Sequence, residues 1–148
     1  MPERATVRRA REDKRQGKSP STQAGEFVRE EIHHIREGKH GARSTKQAIA
    51  IGLSKARRAG VKLPTPAKGT ASAETRRKAK ADSARGRRRK TKSAAKRSRG
   101  VTKALRREGR AAASHRALAR QARSTARRRS AAQRSASARK AARTRARG

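Results

Sequence analysis

The sequence predicts a mostly α-helical protein, with a small helix–loop–helix (αα-hairpin) head and a long basic low-complexity tail that is disordered or conditionally helical. Three observations carry this reading. Lys and Arg number 46 against 10 Asp and Glu in 148 residues, a formal charge of +36. Bulky hydrophobes are confined: Phe27, Ile32, Ile35, Ile49 and Ile51 share one window, and only Val101, Leu105 and Leu118 follow Pro66. Helix-start and helix-stop residues bracket that same window.

Residues 1–18 mix acids and bases, and 3–16 can form a helix with only Ala5, Val7 and Ala10 as apolar contacts. Residues 19–63 form the predicted hairpin. Ser19-Pro20 supplies an N-cap and a first-turn proline. Ala24, Phe27, Val28, Ile32 and Ile35 then recur at three- and four-residue steps, one stripe of a helix over about 20–37 that Gly38 closes. Ser44 with Gln47 three residues on is a capping-box pattern for a second helix over about 45–59. Its stripe is Ile49, Leu53 and Ala56, Gly52 marks a close backbone approach, and Gly60 ends it so that Val61 and Leu63 fold back. Some 40 residues make a thin core, which usually needs a metal, a disulfide or a partner. Dimerisation through the Phe27, Ile32, Ile49 and Leu53 face is the expected remedy.

Two prolines in Leu63-Pro64-Thr65-Pro66 interrupt any helix, and 64–72 is a Pro/Ala linker. The charge divides here. Residues 1–66 carry 16 basic and 7 acidic groups, net +9, and 67–148 carry 30 and 3, net +27. The 73–148 tail is Ala/Arg/Lys/Ser-rich. Ala and Arg favour helix, while like charges at i,i+4 oppose it until a polyanion neutralises them. With 30% apolar and 38% charged residues and a mean hydropathy of −1.23, only a small part is expected to fold unaided.

Composition excludes much. Zero Cys removes disulfides, zinc fingers and thiol catalysis. One Phe without Tyr or Trp leaves no stacking platforms for single-stranded bases. No apolar run follows Met1-Pro2-Glu3-Arg4 or approaches spanning length, so secretion, membrane insertion and a membrane partner are not expected.

The block from Gly38 to Ala56, with its Lys46-Gln47-Ala48-Ile49-Ala50-Ile51-Gly52-Leu53-Ser54-Lys55-Ala56 core, resembles a family of small, very basic bacterial proteins of unknown function. The likeness extends over Ser19–Glu37 and Arg57–Pro64. It implies a bacterial origin and association with DNA, since members of such families carry labels such as histone-like or plasmid-stabilisation protein. The tail is similar in composition to histone-H1-like tails.

A cation density of this kind points to nucleic acid, whose condensed counterions are released on Lys/Arg contact. The expected contacts in the head are Lys39 and Arg43 in the loop, Lys46 at the start of the second helix, and Lys55, Arg57 and Arg58 towards its end. Those in the tail are the Arg87-Arg88-Arg89-Lys90 run, Arg106-Arg107, Arg127-Arg128-Arg129 and Arg139-Lys140. Gly38-Lys39-His40-Gly41 has the GxxG spacing of a KH loop, but the strands of that fold are missing from the pattern, and a plain helix–helix turn explains it as well. A groove-reading second helix is the weaker account beside simple phosphate contact or complementation of the helix dipole. Gly17-Lys18-Ser19 lacks the earlier glycine of a P-loop.

Three E-x-x-H spacings join Glu30, Glu31 and Glu37 to His33, His34 and His40. These residues mostly flank the apolar stripe, so a solvated mixed-charge face is expected and neither metal nor cofactor. No catalytic grouping is visible. The expectation is therefore a non-enzymatic, largely sequence-independent DNA-binding protein of the bacterial cytoplasm, located at the nucleoid. An RNA- or ribosome-associated protein is one alternative, and a protein-interaction module with an electrostatic tether is another.

Overall fold

The computed structural model describes residues 2–88 and 95–146, which form seven α-helices and one 3-10 turn without a strand. In chain order these are α1 (Arg4–Arg15), α2 (Pro20–Arg36), α3 (Thr45–Arg58), α4 (Ala73–Arg87), α5 (Ala95–Arg106), the 3-10 turn Ala111–Ala113, α6 (His115–Arg127) and α7 (Ala131–Arg145). No helix among the described residues is long and apolar enough to cross a membrane.

Local chemistry sets the ends of the two central helices. Ser19 Oγ accepts the Thr22 N–H at 3.3 Å and Pro20 opens α2, while Gly38 closes it at φ +77°. Ser44 Oγ accepts the Gln47 N–H at 3.2 Å. The Gln47 side chain returns to the Arg43 N–H at 2.7 Å, one residue before the cap, so the reciprocal pairing of a capping box is shifted by one.

α2 is the axis of the fold, with α1, α3 and the 3-10 turn packed around it. One side carries Ala24 and Phe27 against Ala10 and Val7 of α1, Ala56 and Leu53 of α3, and the returning Val61 and Leu63. The other carries Ile32 and Ile35 against Ala42, Ala48, Ala112 and Ala113, with Val28 and Leu118 alongside. Full burial of Phe27 and Ile35 is worth about 1.5–3 kcal/mol each, and the alanines add little area. The Phe27 and Ile32 ends of the face expected to meet a second copy are thus covered within the chain, by α1 and by the 3-10 turn.

Gly52 lies where α3 crosses α2. A Cβ there would stand 2.7 Å from Val28 Cα and 2.9 Å from Val28 N, both backbone atoms. Alanine gains about 1 kcal/mol of helix propensity over glycine, but forcing two helix backbones apart costs about 1–3 kcal/mol. Gly52→Ala is expected to lower the urea midpoint at unchanged m-value, and a raised midpoint would show that α2 separates from α3 without strain.

Parts of the basic region dock on this bundle. Ala79 and Asp82 of α4 are buried against α3, where Ser54 Oγ donates to Asp82 Oδ2 at 2.6 Å and Arg58 Nε lies 3.7 Å from Oδ1. The 105–113 segment closes the other end. Gly41 N–H donates to Leu105 O at 2.8 Å, Ala42 N–H to Gly109 O at 3.1 Å, Thr45 Oγ1–H to Ala112 O at 2.7 Å, and Arg36 Nε–H to Ala113 O at 2.9 Å. Small residues permit this: a Cβ on Gly41 would fall 1.8 Å from Glu108 O. Two of the three acids beyond Pro66, Asp82 and Glu108, therefore stand where the basic region meets the bundle, Glu108 3.7 Å from Arg43.

Candidate nucleic-acid interface

The sequence-predicted cations fall into four groups. Lys46, Arg87, Arg88, Arg106, Arg107, Arg127, Arg128, Arg139 and Lys140 are exposed, as is Arg129, which contacts Ser137. Arg89 and Lys90 lie outside the described residues. The third group is engaged within the fold. Lys55 is 15% exposed, its Nζ 2.6 Å from Glu31 Oε2 and 3.3 Å from Glu30 Oε1. Arg57 is 8% exposed and its Nη2 donates to Pro64 O at 3.2 Å. Both point away from solvent because α3 turns that side towards α2 and the returning 61–64 segment.

Lys39, Arg43 and Arg58 are intermediate. Each keeps much of its side chain in solvent while paired to an acid, Lys39 with Glu37 at 3.0 Å, Arg43 with Glu108 and Arg58 with Asp82. The hydrogen bond to Glu37 holds the Lys39 ammonium above the ordinary lysine range, so it stays fully charged. In the Gly38–Gly41 loop the Gly41 N–H is bonded to Leu105 O, which removes the free backbone donor that a phosphate clamp would use.

Sequence reasoning missed the most regular cationic feature. On α6, Arg116, Arg120, Arg123 and Arg127 recur at steps of four, three and four, all exposed, with Leu118 packed against the bundle. The same steps place Arg4, Arg8, Arg11 and Arg15 in an exposed row on α1, with Thr6 and Ala10 buried on the other side. α5 carries Arg99, Lys103 and Arg106 likewise. Neighbours in such a row are about 5–6 Å apart, so four guanidiniums cover about 16 Å of helix. Over that length one DNA strand presents about five phosphates. The i, i+4, i+7, i+11 spacing was available in the sequence, where the compositional weight of the basic runs hides it.

The E-x-x-H residues do not form the solvated face expected of them. Glu30 and Glu31 are buried, because α1 and the 37–44 loop cover that side of α2. Glu30 accepts the Glu3 N–H at 3.1 Å, and His40 Nε2 lies 3.2 Å from Glu31 Oε1. His34 Nε2 is 2.8 Å from Glu3 Oε1, and that contact, with Lys39 beyond it, holds the Glu3 carboxyl below its ordinary range. His33 and Glu37 alone remain on the surface, 3.4 Å apart.

Residues 11–68 are similar to a family of unknown function, DUF6496. The matched region runs from the end of α1 through α2 and α3 to the linker, and it leaves the α5 and α6 rows outside. No curated protein and no solved structure matches the chain.

Proposed function

We propose that this protein is a non-enzymatic, sequence-tolerant DNA-binding protein of the bacterial nucleoid, in which exposed arginine rows on a helical scaffold neutralise the phosphate backbone. The observation that carries this is the pairing of a net +36 with regularly spaced, solvent-facing guanidiniums on α1 and α6. Self-repulsion of this size favours a polyanionic partner, and duplex DNA offers the densest regular array of phosphates. The aromatic side chains that hold single strands are absent but for Phe27, which is buried. The bundle supplies spacing, and the remaining basic residues add charge that becomes more helical once neutralised. Lys55 and Arg57 belong to the scaffold in this reading.

Salt titration tests it. With roughly ten phosphates contacted, log K for a duplex of unrelated sequence is expected to fall against log salt with a slope near −9. A nearly flat titration overturns the proposal. Tighter binding to structured RNA than to duplex DNA at equal salt would transfer the protein to the RNA class.

A further inference from the structure

We propose that Glu31 and His34 of α2, together with His40 of the following loop, form a binding site for one divalent transition-metal ion of the zinc class, with Glu3, the N-cap of α1, holding the His34 ring at 2.8 Å. One candidate ligand atom from each of the first three residues lies within 4.8 Å of the others. A tetrahedral Zn2+ shell holds its nitrogen and oxygen ligands about 2.0–2.2 Å from the metal, so binding draws these atoms closer together. Two imidazoles and a carboxylate are the borderline donor set that zinc prefers.

Three further observations point to a cation. The Glu31 carboxylate is 0% exposed, and neither of its oxygens accepts a hydrogen bond of ordinary geometry, although Lys55 Nζ stands 2.6 Å from Oε2. A buried carboxylate so placed is costly without further positive charge at Oε1. His40 Nδ1 lies 3.1 Å from Gly41 O, an N–H to carbonyl bond that leaves Nε2 as the ring atom on the Glu31 side, 3.2 Å from Oε1. The charges also agree. Glu3, Glu30, Glu31 and Glu37 face only two ammoniums, Lys39 between Glu3 and Glu37 and Lys55 between Glu30 and Glu31, and a divalent ion with neutral imidazoles closes that difference.

Such an ion would fasten α1, α2 and the 37–44 loop to one point. A core built largely of alanine, in a chain without cysteine, gains most from that kind of staple. A proton on His40 Nε2 is the competing occupant, and the experiment separates the two. The full-length chain, freed of nucleic acid and metal, is titrated with Co2+ alone and with Zn2+ alone. The expected result is saturation at one equivalent, the visible bands of four-coordinate Co2+, and a rise in melting temperature with Zn2+. His34→Ala and His40→Ala are each expected to weaken Zn2+ binding by at least about tenfold, as loss of a direct ligand exceeds the 10–100-fold range seen for outer-shell partners only upward. His33→Ala, on the exposed side, changes it less than about twofold. Absence of Co2+ bands and of one-equivalent saturation in the unmodified chain overturns the proposal whatever the variants do. Unchanged Zn2+ affinity in both His34→Ala and His40→Ala overturns it as well.

Discussion

Replacing Arg116, Arg120, Arg123 and Arg127 together with glutamine is expected to make the salt slope for duplex DNA shallower by about 3.6 and to weaken binding at 0.1 M salt on the order of a thousandfold. Each phosphate contact contributes about 0.9 to the slope, so four lost contacts give the first figure. At 0.1 M salt each released counterion is worth nearly a factor of ten, which gives the second. The fold should survive. Glutamine has nearly the helix propensity of arginine, the like-charge repulsion along the row disappears, and Leu118 keeps its place beside Ala112 and Ala113. Circular dichroism checks the helix content, and binding isotherms at four or five salt concentrations give the slope. A fall in affinity with no change in slope would mean that the row acts through the fold and leaves phosphate contact to other residues. The same change on the α1 row, Arg4, Arg8, Arg11 and Arg15, serves as the internal comparison.

Capping chemistry made α2 and α3 legible. Ser19-Pro20, Gly38, Ser44 and Gly60 are residue types whose backbone and side-chain preferences act locally, so their meaning does not depend on the rest of the chain. Gly52 was readable for a related reason: glycine costs about 1 kcal/mol against alanine inside a helix, and the close approach of Val28 gives it a use there. The docking of α4 and of the 105–118 segment was not legible as packing. It is built from alanines, glycines and single hydrogen bonds to main-chain carbonyls, none of which produces a periodic hydrophobic signal. Asp82 and Glu108 were the available clue. An isolated acid in a strongly basic stretch has a reason to be there, and both of these meet a base of the bundle.

The candidate site divides in the same way. Exposed basic runs are visible from composition, and spacing alone gives the α6 row. Burial of Glu30, Glu31, Lys55 and Arg57 is not visible, because it depends on α1 and the 37–44 loop folding over a face that periodicity assigns to solvent. Charged residues beside an apolar stripe read as its rim. Here α1 contributes Thr6 and Ala10, and its N-cap residue Glu3 reaches His34, which carries the rim inside.

Phe27→Ala is expected to destabilise the bundle by about 3–5 kcal/mol, the usual cost of emptying a fully buried aromatic site. Phe27 is the one large side chain fully buried in its cluster, 1% exposed among Ala10, Ala24 and Ala56, and the partly buried Val7, Leu53, Val61 and Leu63 around it are each smaller than the phenyl ring they would have to replace. Small domains hold a stability near the low end of about 5–15 kcal/mol, so the change removes most or all of it. Helical circular dichroism at 25 °C and the urea midpoint should both fall. DNA binding should respond differently. Phosphate neutralisation needs exposed guanidiniums at high density, and the unfolded chain keeps every one of them, so at low salt the affinity is expected to drop by less than about tenfold and the slope to remain steep. An affinity that collapses with the fold would instead place the binding energy in the arranged surface of the bundle, and the arginine rows would then act only as a positioned set.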